Sequence, residues 1–158
     1  MSGWASFSRD RRYRYSLGRS WGDGPRVCWL LLNPSTADAR DDDRTLRRCV
    51  AFARAWGAGS VEVVNLFAFV ATRPSDLPRA ADASGAANRQ AVRRALGRAD
   101  WVVAGWGNVP APLAAAARRS ARALPGPVWC LGLTGSGHPR HPLYVASATP
   151  LRPFKVPR

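Results

Sequence analysis

The stretch RVCWLLLNPSTADARDDDRTLRRC, Arg26–Cys49, carries the reading of the whole chain. It opens on a short, nearly continuous apolar run. A run of that length bounded by turn residues suits a strand covered on both faces, the usual state of a strand in a parallel sheet. The run stops at Asn33-Pro34-Ser35-Thr36. Proline there fixes a turn and disfavours helix at the residue before it. Three aspartates, Asp41 to Asp43, come next. A segment from about Arg44 to Trp56 then repeats Leu46, Cys49, Val50, Ala53 and Trp56 at helical spacing. The aspartates read as an N-cap at the positive end of that helix, and Gly57 reads as its stop.

Outward from this unit the alternation continues. SVEVVNLFAF (Ser60–Phe69), DWVVAGWG (Asp100–Gly107) and PVWCLGLT (Pro127–Thr134) are further apolar strands. AANRQAVRRALGRA (Ala86–Ala99) and VPAPLAAAARRSARALPG (Val109–Gly126) are the helices between them, the latter with proline near its first turn. The order β-α-β-α-β-α-β predicts a three-layer α/β/α domain around a central, mainly parallel four-stranded sheet. A single domain is expected over residues 1–158, with a basic, aromatic N-terminal arm over about 1–25 and an irregular tail over about 147–158. Within the arm, RYRYSLGRSW reads as an edge strand or one arm of a hairpin.

The chain has 24 basic and 10 acidic residues, a formal charge of +14, and Lys155 as its one lysine. An excess of this size points to a polyanion, because basic side chains neutralise phosphates and release counterions. DNA, single- or double-stranded, is the expected partner. No apolar run approaches the ~20 residues that span a bilayer, and MSGWASFSRDRRYRY has no signal-peptide core. A cytoplasmic monomer is therefore expected. Cys28, Cys49 and Cys130 lack the paired spacing of zinc or iron–sulfur sites and read as small core residues.

Ligands of open parallel sheets bind beyond the carboxyl ends of the strands. The strand ends and the residues after them gather Asn33, Asn65 carried on the second strand, Gly105-Trp106-Gly107-Asn108, and a Gly/Pro loop holding both histidines, His138 and His141. No third metal ligand stands near the histidines, so no metal and no cofactor is expected. No nucleophile motif or Walker loop is present. Amides read a base edge with one donor and one acceptor side by side. A neutral histidine donates to an oxygen gaining charge.

These residues resemble motifs of the uracil-DNA glycosylase superfamily. LLNPS is similar to its first motif, with Asn33 and Pro34 matching and Ser35 where the family has glycine. VVNLFAFVATRP is similar to a strand whose asparagine reads the uracil edge, and Asn65 falls on it. GHPRHPLY is similar to its last motif, with His138 on the motif histidine and His141 as the alternative imidazole. The resemblance implies a uracil-DNA glycosylase-like fold and hydrolysis of the N-glycosidic bond of a flipped uracil or other modified base. Asn33 would hold the water, with Asp38 as a possible carboxylate for the same task. Asn65 would read the base, and the imidazole would stabilise the departing anion. Phe67 or Trp106 would stack on the base. Arg47 and Arg140 would meet phosphates, and Arg140, Leu143 or Tyr144 would fill the vacated stack. Over about Arg12 to Pro150 the chain also resembles, more closely, the bacterial domain-of-unknown-function 1643 family, through LNPSTAD, VVNLFA and GHPRHPLY. Two other expectations stay open: a nucleic-acid-binding or sensing module without catalysis, and an enzyme acting on small nucleosides or nucleotides.

Overall fold

The run Arg26–Leu31 forms β3, the middle strand of a seven-stranded sheet, in a computed structural model that describes residues 1–156. The other strands are β1 (Ser2–Phe7), β2 (Arg14–Ser20), β4 (Ser60–Asn65), β5 (Trp101–Ala104), β6 (Trp129–Cys130) and β7 (Arg152–Pro153). The helices are α1 (Arg44–Ala55), α2 (Asn88–Arg98) and α3 (Ala114–Arg122). The sheet order is β1-β2-β4-β3-β5-β6-β7. Its centre, β4-β3-β5-β6, is parallel.

Crossover handedness dictates where the helices go. The chain steps from β3 to β4 through α1, then back past β3 to β5 through α2, then onward to β6 through α3. Right-handed connections that step in opposite directions must lie on opposite faces. Accordingly Val27, Trp29 and Leu31 pack with Leu46, Cys49 and Phe52 of α1. The alternate residues Cys28 and Leu30 pack with Ala95 of α2 and Ala117 and Ala121 of α3. This explains the unbroken apolar run: β3 buries both of its faces. Cys28, Cys49 and Cys130 are buried and free.

The four expected strands are the parallel centre, but the sheet is larger and mixed. The N-terminal arm is a β1–β2 hairpin whose second strand pairs antiparallel with β4. It covers an edge that would otherwise stand open for pairing. Leu17 enters the core at 1% exposure. Gly18 lies opposite Trp4, and any side chain at Gly18 would collide with the indole ring. At the opposite edge the tail is not wholly irregular. Arg152 and Pro153 pair with β6, and Phe154 is buried with its ring edge-on to Trp106, centroids 5.4 Å apart. Pro157 and Arg158 of the expected tail lie outside the described residues. The fourth expected strand is shortened to Trp129–Cys130, because Gly132 at φ 103° turns the chain away.

Glu62 of β4 is fully buried, and Arg98 at the end of α2 donates to it from Nε at 2.8 Å, so the last turn of α2 is tied to the sheet. Among the described residues no helix is long and apolar enough to cross a membrane.

Candidate functional site

After β3 the chain turns towards β4, and after β5 it turns the other way, towards β6. The loops diverge, and the crevice between them is the usual ligand site of an open α/β sheet. A cavity of about 990 Å³ opens there, lined by Asn33 and Ser35 after β3, Asp43 at the start of α1, Trp106 and Asn108 after β5, and His141. A small cavity of about 40 Å³ shares Asn33, Ser35, Asp43, Thr45 and His141 with it and reaches the core at Leu17, Leu31 and Val63. A space of that size holds one or two waters among polar partners.

Asn33 is oriented by its neighbours. Its Nδ2 donates to the carbonyls of Pro34 at 3.0 Å and Ala71 at 2.7 Å. Both partners are acceptors, which assigns the nitrogen to that side. Its Oδ1, without a protein donor among the described residues, is the group left for a ligand or water. Pro34 is buried, and its carbonyl takes the Ala71 N–H at 3.0 Å, so the turn after β3 is laced to the loop after β4.

Asp43 caps α1, accepting the Leu46 N–H at 2.8 Å. Asp42 does different work: it pairs with buried Arg19 at 2.8 Å. Arg19 also donates to the carbonyl of Asp38 at 2.7 Å. Arg14, 4% exposed, donates from one terminal nitrogen to the Ala37 carbonyl at 3.0 Å, while its Nε has no partner among the described residues. Burial pulls the pKa of Arg14 down to about 10. Two buried arginines of β2 thus hold the loop that carries Ser35 and the aspartates.

His141 lies in the wall of both cavities, and its Nδ1 accepts the Leu143 N–H at 3.1 Å. The neutral ring therefore carries its proton on Nε2. Burial lowers its pKa to about 4 against the opposing charge of Asp43, so the ring is neutral at ordinary pH. Its segment is pinned by Arg48 of α1, which donates to the carbonyls of Pro142 (3.0 Å) and Val145 and to the Ser147 hydroxyl (2.7 Å). His138 lies outside the cavity lining. Its Nδ1 takes the Trp106 indole N–H at 3.3 Å, and its pKa is lowered by burial and by Arg118.

The remaining expected residues divide. Arg47, Arg140, Leu143 and Tyr144 do line the cavity. Tyr144 is 75% exposed, with its ring 5.5 Å from that of His141. Trp106 also lines it, but at 3% exposure and against Phe154 it offers no open face for stacking. Phe67 is a core residue at 3% exposure. Asp38 is not a cavity residue. Its carboxylate accepts the N–H groups of Arg40 and Asp41, both at 2.8 Å, and closes a turn. Asn65 ends β4 at 1% exposure and lines a different cleft, beside α2. The cavity adds Asp43, Thr45 and Asn108. Asn108 had a sequence signal, as a polar residue directly after a strand. Asp43 was legible only as a cap.

No curated protein and no solved structure matches this chain. A family model does match, over residues 14–143, and that family is described as a protein of unknown function, DUF1643. The matched span runs from the start of β2 to the segment that pins His141, and so takes in the parallel centre of the sheet and most of the cavity wall. The chain belongs to the DUF1643 family.

Proposed function

We propose that this protein binds DNA and hydrolyses the N-glycosidic bond of a flipped uracil or other modified base in the cavity between the ends of β3 and β5. The carrying observation is that Asn33, Asp43 and neutral His141 line one cavity edged by Arg44, Arg47 and Arg140, with Asn33 Oδ1 and His141 Nε2 without a protein partner among the described residues. The resemblance of LLNPS and GHPRHPLY to uracil-DNA glycosylase motifs supports the same reading, since both segments contribute to this cavity.

The arginines hold phosphates and set register without reading sequence. The flipped base enters at a cost of a few kcal/mol, and Tyr144 at the lip takes the place it vacates. Asn108 replaces Asn65 as the amide facing the base edge. The bond between C1′ and the base nitrogen breaks with its electron pair going to the base, and His141 donates from Nε2 to the resulting anion. Such a donor is worth ~3 kcal/mol. Asn33 Oδ1 holds a water whose oxygen bonds to C1′, and Asp43 takes up its proton.

A second reading is DNA binding without hydrolysis. It is favoured by Asp43, whose carboxylate is already engaged as a helix cap. Alkali-revealed strand scission on DNA carrying uracil or other modified bases tests both. Scission by the wild type that is lost in Asn33→Ala and His141→Ala supports the hydrolase. Salt-sensitive binding with no scission on any base supports the binding module.

A further inference from the structure

Helices α2 and α3 share one face of the sheet and leave between them a cleft of about 860 Å³. Leu30 and Leu66 line it along with Val92 and Leu96 of α2. Arg89 and Arg93 of α2 and Arg119 of α3 line it too; all three are exposed, and none has an ion-pair partner among the described residues. Asn65 and Asn88 also line it, 1% and 3% exposed.

These two asparagines are the unusual feature. Asn88 Nδ2 donates to the carbonyls of Asn65 at 2.9 Å and Leu66 at 3.3 Å, which fixes its amide, yet its Oδ1 has no partner among the described residues. Asn65 Nδ2 has none among them either. A buried unpaired amide atom is costly to keep, whereas an apolar side chain of the same shape carries no such cost. Here an unpaired donor and an unpaired acceptor stand on neighbouring residues of one cleft. Both atoms are shielded from solvent, and the broad terminal torsion of asparagine lets Asn65 swing its Nδ2 to a ligand.

We propose that this cleft is a second ligand site, separate from the β3–β5 cavity, and that its ligand is a free nucleotide. The base lies between the apolar walls with an acceptor towards Asn65 Nδ2. The phosphate meets Arg89, Arg93 and Arg119. An acyl chain would leave the amides unpaired, and a bare inorganic anion would leave the walls uncovered. The volume suits a small-molecule site. This inference does not depend on the glycosylase reading, because the cleft and the β3–β5 cavity have no lining residue in common among the described residues.

Equilibrium dialysis of the full chain against UMP, CMP, AMP, GMP and inorganic phosphate tests it. At least one nucleotide should bind about tenfold or more tightly than phosphate. The exposed pair Arg93→Glu and Arg119→Glu should weaken that binding about tenfold or more. Asn65→Leu should also weaken it, while holding or raising the thermal midpoint, the opposite of what a purely structural asparagine would do. Three results would overturn the inference: no nucleotide bound, phosphate bound as well as any nucleotide, or binding indifferent to these changes but lost in Asn33→Ala or His141→Ala. Since Arg93 and Arg119 are on the surface, their variants keep the test valid if Asn65→Leu fails to fold.

Discussion

The indole N–H of Trp106 donates to Nδ1 of His138 across 3.3 Å, and this bond sets the two histidines of the chain to different tasks. His138 is turned to the ring that Phe154 packs against, and its backbone N–H donates to the Thr134 hydroxyl oxygen at 3.2 Å and closes its own loop. His141 turns its Nδ1 to its own segment and lines the cavity with its Nε2 without a protein partner among the described residues. In single-turnover strand scission, His141→Ala should therefore lose about 100-fold or more, the usual effect of removing a donor to a developing anion. His138→Ala should lose far less rate and should instead lower stability by about 1 kcal/mol, read by urea denaturation. The reverse ranking would refute this division.

The lowered pKa of His141 has a consequence for stability. Its folded value, about 4, lies below the ordinary 6.5. Between those values the unfolded chain binds a proton that the folded chain does not. The stabilisation is whole above pH 6.5 and is lost as pH falls to about 4. Its full size is about 3 kcal/mol. His138 shifts in the same direction and adds to the effect. Urea unfolding of wild type and His141→Gln at pH 7 and pH 4.5 measures it, and the gap between the two proteins should narrow at the lower pH.

Asp43 carries both a cap and a charge, and substitution separates the two. Asp43→Ala should cost about 1 kcal/mol through the lost bond to the Leu46 N–H. Asp43→Asn keeps a good N-cap and should leave the thermal midpoint nearly unchanged. If the carboxylate accepts a proton from the attacking water, Asp43→Asn should still lose scission rate by roughly 100-fold. A fully active Asp43→Asn would reduce the residue to its cap.

Arg48 joins α1 to the segment that follows His141 through three hydrogen bonds. Truncation in Arg48→Ala should destabilise the protein by about 2 kcal/mol. Hydrogen exchange should show faster exchange around 141–147 with α2 unaffected.

Phosphate contacts are counted by salt. Each of Arg47→Ala and Arg140→Ala should lower the slope of log binding constant against log salt by about 1, with little change in base preference. Arg94, exposed on α2 outside the β3–β5 cavity, is the control, and Arg94→Ala should leave the slope unchanged if DNA lies over the cavity.

Much of the fold was legible in the chain because it rests on local patterns. The apolar run of β3, the proline after Asn33, the cap at Asp43 and the stop at Gly57 each follow from short-range sterics and hydrogen bonding. Chain order and the handedness of crossovers then fix which face each helix covers. From there the sequence also locates the rim where polar residues gather.

What the sequence could not supply is the direction of each side chain on that rim. Asn33 and Asn65 look alike as asparagines at strand ends, yet one lines the β3–β5 cavity and the other the α2–α3 cleft. His138 and His141 differ in what lies beside them, Trp106 from the loop after β5 or Arg48 from α1. The N-terminal arm became part of the sheet because β4 had an open edge and Leu17 a place in the core. Local sequence specified the strands, the caps and the turns. Only long-range packing decided which of the candidate side chains share a cavity, because that depends on partners distant in the chain.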